Sequence, residues 1–223
     1  MNLRNEAITP LFPSTQTQTK QRLAIIGCAR SGIEYTSSIL QNAGIHVGFE
    51  SLQQDGIASW FAAADDQEIE HLYDDGNYRP VPLEHFSFVV HQTRHPLDVI
   101  DSLMCTPLSG EQQEFVQKHF PHIRGDSGSI MWGMYYWFAW CCLCDSKTKM
   151  QFRVENMYQM LPSLFLYTKK STVGYQQAYE NVYSRKAAFG SSFPKIKRKD
   201  LENTDPSFAS HITILATQYG YEI

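Results

Sequence analysis

The sequence predicts an α/β domain in which a mainly parallel sheet is flanked by helices. Short apolar runs alternate along the chain with segments whose apolar residues recur at helical spacing, a pattern typical of parallel α/β folds. The chain of 223 residues is 43% hydrophobic and 19% charged, which suffices to bury one core without a disulfide or a structural metal. We predict a polar, flexible N-terminal arm at residues 1–21, without the apolar core of a signal peptide, and a single domain at residues 22–223.

The first part of the domain reads as strand, helix and strand. Residues 22–27 (RLAIIG) are a short apolar run that ends at a glycine, as expected for a strand buried on both faces. Apolar residues then recur at helical spacing up to Gly44, a residue that the ends of helices favour. A second strand is predicted over residues 45–48, so that Phe49 and Glu50 follow its C-terminal end.

The rest of the chain continues the alternation. Residues 86–92 (FSFVVHQ) predict another buried strand, and Pro96 suits the first turn of the helix that follows. Residues 151–154 (QFRV) predict a further strand. Asp205-Pro206 then starts a final helix that Gly220 ends.

One helix is expected to lie inside the core. Residues 130–144 (IMWGMYYWFAWCCLC) form the longest apolar run, but a helix that spans a bilayer needs about 20 such residues. Asp126, Ser127 and Ser129 offer side chains that can cap its start. We therefore predict a buried helix and no membrane partner.

Charge and cysteine content exclude other classes of protein. The 19 basic and 23 acidic residues give a net charge of -4, which argues against a protein that coats nucleic acid or an anionic membrane. The five cysteines are an odd number and three crowd into one apolar stretch, which favours a reducing compartment over a secreted disulfide framework. We expect a cytoplasmic protein without a metal site and leave its oligomeric state open.

The sharpest local pattern is a glycine-containing turn between the first strand and the first helix. Residues 23–40 read LAIIGCARSGIEYTSSIL. Such a turn directs several backbone N–H groups and the positive end of a helix dipole towards one point, which suits an anion. It resembles a phosphate-binding loop. The form found in NTPases needs Lys and Ser/Thr where this chain has Ile33 and Glu34, which argues against a small kinase and leaves Arg30 as the cation.

A second pattern lies at residues 88–104 (FVVHQTRHPLDVIDSLM). Arg94 comes at the C-terminal end of a predicted strand, and Ser102 lies about two turns into the following helix. Together with Arg30-Ser31-Gly32, this R-x-P-x-D-V-x-x-S segment resembles the sulfotransferases that use 3′-phosphoadenosine 5′-phosphosulfate. In that family the first motif binds the 5′-phosphosulfate and the second binds the 3′-phosphate.

The resemblance implies a single-domain fold of the phosphate-loop (P-loop) type and a metal-independent, in-line transfer of a sulfuryl group. The acceptor is a hydroxyl or an amine, and the product is adenosine 3′,5′-bisphosphate. A small molecule or glycan is the expected acceptor, and a peptide tyrosine and a lipid stay open. Residues 169–199 carry eight basic side chains and one acidic one, and are either a basic loop or flap over the nucleotide or a solvated loop. The implied nucleotide contacts are Arg30, Ser31, Gly32, Ile33, Glu34 and Tyr35 in the first loop, Arg94 and Ser102 in the second motif, and Arg185 and Lys186 in the basic segment.

Two residues are assigned to the chemistry. Arg30 suits the charge that develops on the leaving phosphate, and Glu50 is the candidate base for the acceptor proton. Glu50 is alternatively a carboxylate at the protein surface. The other candidate bases are His46, His91 and His95.

The sequence also departs from the family pattern. Ile33-Glu34 replaces hydroxyl residues after Ser-Gly, which removes a phosphate ligand and brings a carboxylate near an anion. Thr36 or Ser37 could substitute, although helix geometry points them elsewhere. A nucleotide-binding or scaffold protein that has lost catalysis is therefore the second hypothesis. Glu155 is expected to be a structural partner at a helix start.

Overall fold

The structure is a computed structural model that describes residues 22–168, 176–177, 179–180 and 195–223. The predicted arm at residues 1–21 and most of the basic segment, including Arg185 and Lys186, lie outside the described residues. In the described part of the chain, no helix is both long and apolar enough to cross a membrane.

Five parallel strands form the main sheet, and a smaller sheet of three strands lies beside it. The strands are β1 (Leu23–Ile26), β2 (Val47–Phe49), β3 (Ser51–Leu52), β4 (Gly56–Ala58), β5 (Glu70–Tyr73), β6 (Tyr78–Pro80), β7 (Phe88–Thr93) and β8 (Gln151–Arg153). The main sheet has the order β2-β4-β1-β7-β8, and the smaller one has the order β3-β5-β6.

Helices flank the main sheet, as the sequence predicts. They are α1 (Ile33–Asn42), α2 (Pro96–Cys105), α3 (Gly110–His119), α4 (Ile130–Lys147), α5 (Met157–Thr168), α6 (Arg198–Thr204) and α7 (Pro206–Gln218). Short 3₁₀ helices form at Phe61–Ala64, Leu83–His85 and Val154–Asn156. Helix α1 packs on β2 and β4, while α4 packs on β7 and α2.

The central strand β1 explains why a parallel sheet could be predicted. All four of its side chains are fully buried, and the strand pairs in parallel with β4 on one side and β7 on the other. A strand enclosed in this way can be apolar at every position. Strand β4 was not predicted, because its three residues are too few to show a pattern.

The second predicted strand is shifted by the end of α1. The strand was expected over residues 45–48, but β2 begins at Val47. Gly44 takes a left-handed conformation with a φ of 82°, and the N–H of Ile45 donates to the carbonyl of Leu40 at 2.8 Å. This hydrogen bond completes the end of the helix, as in a Schellman motif. Ile45 is therefore not free to join the sheet.

Helix α4 is the buried helix that the apolar run predicts. The Ser129 hydroxyl accepts a hydrogen bond from the N–H of Trp132 at 3.1 Å and caps the helix. Asp126 contributes only its backbone carbonyl to this turn, and the Ser127 hydroxyl has no partner among the described groups, so neither side chain is a cap. The final helix also agrees with prediction, because the Asp205 carboxylate accepts from the N–H of Phe208 at 2.9 Å.

Gly133 allows α4 to pack closely on α2. A Cβ atom at this position would lie 2.8 Å from Cγ2 of Ile100, a fully buried and β-branched side chain. Such a short approach requires the Ile100 side chain or the two helices to shift. The packing of α2, which carries Ser102, therefore depends on a glycine inside a helix.

We expect Gly133→Ala to destabilise the protein by about 1–3 kcal/mol, although alanine is the better helix former. The matched control is Gly110→Ala at the start of α3, where a Cβ atom would meet nothing within 4 Å. That change should leave stability unchanged or raise it by up to about 1 kcal/mol. Urea unfolding of both variants measures the difference, and a Gly133→Ala variant as stable as the control would contradict the close packing.

Candidate functional site

The turn between β1 and α1 has an uncommon backbone shape. Arg30 has a φ of 69° and Gly32 a φ of 89°, both in the left-handed region. A Cβ atom at Gly32 would also make a tight contact, at 3.0 Å from Cγ2 of Val154. The N–H of Ser31 donates to the carbonyl of Cys28 at 3.1 Å and tightens the turn. The chain then enters α1 at Gly32, which makes no side-chain cap.

Three hydrogen bonds from other elements fix this turn. The N–H of Ala29 donates to the hydroxyl of the buried Tyr136 at 2.8 Å. The side-chain amide of Gln92, at the end of β7, donates to the carbonyl of Ser31 at 2.8 Å. The Arg94 guanidinium donates to the carbonyl of Arg30 at 2.9 Å. The second sequence motif therefore supports the first one directly.

A cavity of about 300 Å³ opens over the turn. It brings residues of the two sequence motifs together at the C-terminal edge of the sheet, where ligands of open α/β folds bind. From the two motifs the wall contains Arg30, Gly32, Ile33, Glu34, Arg94 and Ser102. The remaining wall residues are Cys28, Ala29, Phe49, Trp60, Leu108 and Gln112.

The charges of the cavity suit an anion. Arg30 and Arg94 form no ion pair with any carboxylate in the described part of the chain. Arg30 is positioned by the carbonyl of Thr106, to which its guanidinium donates at 2.9 Å, and its Nε atom is buried with no described partner. The positive end of α1 adds to these two cations. Glu34 is exposed in the first turn of α1 and opposes them.

Several predicted contact residues lie outside the cavity wall. Ser31 was expected to face a phosphosulfate, but its side chain is fully buried and its hydroxyl has no partner among the described groups. Tyr35 is partly buried and is not part of the wall. Thr36 and Ser37 point away, as helix geometry predicts, because their hydroxyls donate to Sδ of Met157 and to the carbonyl of Val47.

Glu50 lies beside the cavity, between two elements that contribute wall residues. It follows β2 and has a φ of 48°, and its carboxylate accepts hydrogen bonds from the Ser59 hydroxyl and from the N–H of Trp60, the latter at 3.0 Å. Burial raises the pKa of Glu50 to about 7, against the opposing effect of these two hydrogen bonds. A carboxyl group with this pKa can take up and release a proton near neutral pH.

The histidines considered as alternative bases lie elsewhere. His91 is buried with its Nδ1 atom 2.8 Å from the Asp145 carboxylate. His95 accepts from the N–H of Leu97 in the first turn of α2, and His46 is exposed. None of the three lines the cavity.

Glu155 has the structural role that the sequence predicts. It lies in the 3₁₀ helix before α5 and accepts hydrogen bonds from the N–H of His95 and the hydroxyl of Tyr221. These bonds join the start of α2 to the C-terminal residues. Glu155 is not part of the cavity wall.

Sequence reasoning missed residues that the fold brings to the cavity from other elements. Trp60, Leu108 and Gln112 lie in the wall, and no local motif marks them. Gln92 had one detectable signal, since it is a polar residue in an otherwise apolar strand. The cysteines are free, and the described residues contain no cluster of three or more side chains that could hold a metal.

The structure is an α/β protein with a cavity at the C-terminal edge of a parallel sheet, whose wall contains two arginines. In comparisons with protein-family models, curated proteins and solved structures, none gives a significant match to the chain. The interpretation of the site therefore depends on its own geometry.

Glu50→Gln is expected to change how stability depends on pH. Folding raises the pKa of Glu50 from 4.5 to about 7. The folded state therefore binds this proton more tightly than the unfolded state does. The contribution of Glu50 to the free energy of unfolding therefore falls as pH rises from about 4.5 to 7, by about 3 kcal/mol at most. The Gln variant lacks this fall.

Urea unfolding at several pH values measures the effect. The variant should gain stability relative to the wild type across this pH range and keep the gain above it. A constant difference for Glu50→Gln would contradict the raised pKa.

Proposed function

We propose that the protein is a sulfotransferase of the P-loop type that uses 3′-phosphoadenosine 5′-phosphosulfate. The proposal depends mainly on one observation: residues of the turn before α1 line the same cavity as Arg94 and Ser102. Two phosphate groups of one nucleotide require two separate anion sites, and the cavity offers the start of α1 with Arg30 for one and Arg94 with Ser102 for the other.

The transfer needs no group beyond those of the chain and the two substrates. The acceptor oxygen forms a bond to sulfur while the bond from sulfur to the phosphate oxygen breaks. Arg30 and the N–H groups at the start of α1 stabilise the charge that develops on the leaving phosphate and on the sulfuryl oxygens. Glu50 takes the acceptor proton.

The order of the strands supports a separate side of the cavity for each proposed substrate. All five strands are parallel, so their C-terminal ends meet at one edge of the sheet. Arg94 follows β7 on one side of β1. On the other side, Phe49 is the last residue of β2 and Trp60 follows β4. The nucleotide 3′-phosphate is assigned to the β7 side and the acceptor to the side of Glu50.

A second candidate is a nucleotide-binding or scaffold protein of the same fold that has lost catalysis. The exposed Glu34 in the cavity wall favours it, because a carboxylate opposes the binding of a phosphosulfate. Both candidates bind adenosine 3′,5′-bisphosphate, and only the first transfers a sulfuryl group.

Ser102→Ala separates the two phosphate sites. We expect it to weaken the binding of adenosine 3′,5′-bisphosphate by about 1.5–3 kcal/mol, roughly 10- to 150-fold, and to leave adenosine 5′-phosphate unaffected. Arg94→Ala should weaken both nucleotides, because Arg94 also holds the carbonyl of Arg30. Calorimetry measures all four affinities.

The control for Ser102→Ala is Ser210→Ala, an exposed serine whose hydroxyl donates within α7. It should leave both affinities unchanged. Equal losses of both nucleotides in Ser102→Ala would overturn the 3′-phosphate assignment. Binding of ATP with magnesium in preference to the bisphosphate by the wild type would overturn the proposed function.

Arg30→Gly tests the cation without adding backbone strain. Glycine adopts the left-handed conformation of Arg30 freely, so this variant should be at least as stable as Arg30→Ala. Both variants should lose turnover by about 10²-fold or more and lose much less nucleotide affinity, because the leaving charge develops mainly in the transition state. Release of adenosine 3′,5′-bisphosphate with an acceptor found by screening measures turnover. An unchanged rate in a folded Arg30→Gly variant would remove Arg30 from the chemistry.

A further inference from the structure

Glu50 is the end of a chain of three hydrogen-bonded side chains. Ser59 comes directly after β4 and donates its hydroxyl to Oε2 of Glu50. His71, on β5 of the smaller sheet, places its Nε2 atom 3.1 Å from Oγ of Ser59. Ser59 and His71 are both buried. Side chains from three separate parts of the chain therefore meet at one carboxylate.

The direction of the hydrogen bonds follows from the protons available. A serine hydroxyl has one proton and accepts two hydrogen bonds. The N–H of Ala62 donates to Oγ of Ser59 at 3.1 Å, and the hydroxyl proton goes to the ionised Glu50. His71 Nε2 must then be the donor to the remaining lone pair, which makes His71 the neutral tautomer protonated at Nε2. Its Nδ1 atom is buried and has no partner among the described groups.

The electrostatic surroundings agree with this direction. Burial lowers the pKa of His71 to about 4, so the ring is neutral at neutral pH. His71 is the titratable group that faces Glu50, with Nε2 3.9 Å from Oε2. Strand β4 and the 3₁₀ helix Phe61–Ala64 carry no titratable side chain, and no described Lys or Arg forms an ion pair with Glu50. The hydrogen bonds from the Ser59 hydroxyl and the N–H of Trp60 therefore stabilise its charge.

We propose that Ser59 and His71 are positioning residues that hold the Glu50 carboxylate in place and keep it ionised for its role as the base. This inference rests on the proposed function. Donors that point along one chain polarise each other and favour the charged acceptor, which opposes the effect of burial. Removing a donor should therefore make Glu50 bind its proton more tightly.

The test is an NMR titration of the full chain labelled with ¹³C at the glutamate carboxyl carbons. The Glu50 signal is assigned by its loss in Glu50→Gln. We expect Ser59→Ala to raise the titration midpoint of Glu50 by about 1–2 pH units and His71→Leu to raise it by less. His71→Gln retains an N–H donor of similar reach and should keep the wild-type midpoint. The two His71 variants alone decide the outcome if Ser59→Ala does not fold.

A functional measurement accompanies the titration. In wild type and variants, the acid limb of the rate of sulfuryl transfer against pH should move together with the Glu50 midpoint. A midpoint that stays in place in folded variants that still bind adenosine 3′,5′-bisphosphate would overturn this inference alone. A midpoint that moves in a protein that binds no bisphosphate would overturn the proposed function, and with it the role of Glu50 as the base.

Discussion

The hydrogen bond from the Arg94 guanidinium to the carbonyl of Arg30 is the contact on which the candidate site depends. Arg30 has a left-handed backbone, which costs about 1–2 kcal/mol for a residue with a side chain. Arg94, Gln92 and Tyr136 offset that cost by binding three backbone groups of the same turn. The start of α1 consequently lies in the cavity wall, together with a cation from each motif.

Helix α4 is the support for this arrangement. Its Tyr136 reaches the turn before α1, and its Gly133 allows α2 to approach closely. Its Trp140 lies 5.0 Å from the ring of Trp60, measured between ring centroids, and so backs the opposite wall of the cavity. Four of the aromatic residues of this helix, Trp132, Tyr136, Trp137 and Trp140, are buried in the core. They also determine the shape of the site, because three of its elements rest on one rigid helix.

The smaller sheet supplies a histidine to the hydrogen-bonded chain that ends at Glu50. Strand β3 follows Glu50 directly and pairs with β5, which carries His71. This pairing brings a buried histidine next to Ser59 at the end of β4. Burial and hydrogen bonding act on Glu50 in opposite directions, and their balance gives a carboxyl group with a pKa of about 7. A carboxylate at an exposed strand end, the alternative that the sequence left open for Glu50, would not experience this balance.

The sequence by itself determined the features that depend on neighbours in the chain. The apolar run at β1, the glycine turn, the spacing from Arg94 to Ser102 and the buried helix α4 are local patterns, and each predicts its structure through backbone geometry or burial. Only the tertiary structure decided which distant side chains complete the site. Trp60, Tyr136 and His71 approach it from elements that no spacing rule connects, since their positions follow from strand order and helix packing. The tertiary structure also buried Ser31. The side chains of Gln92 and Arg94 donate hydrogen bonds to the carbonyls of Ser31 and Arg30, and these bonds set the orientation of the turn.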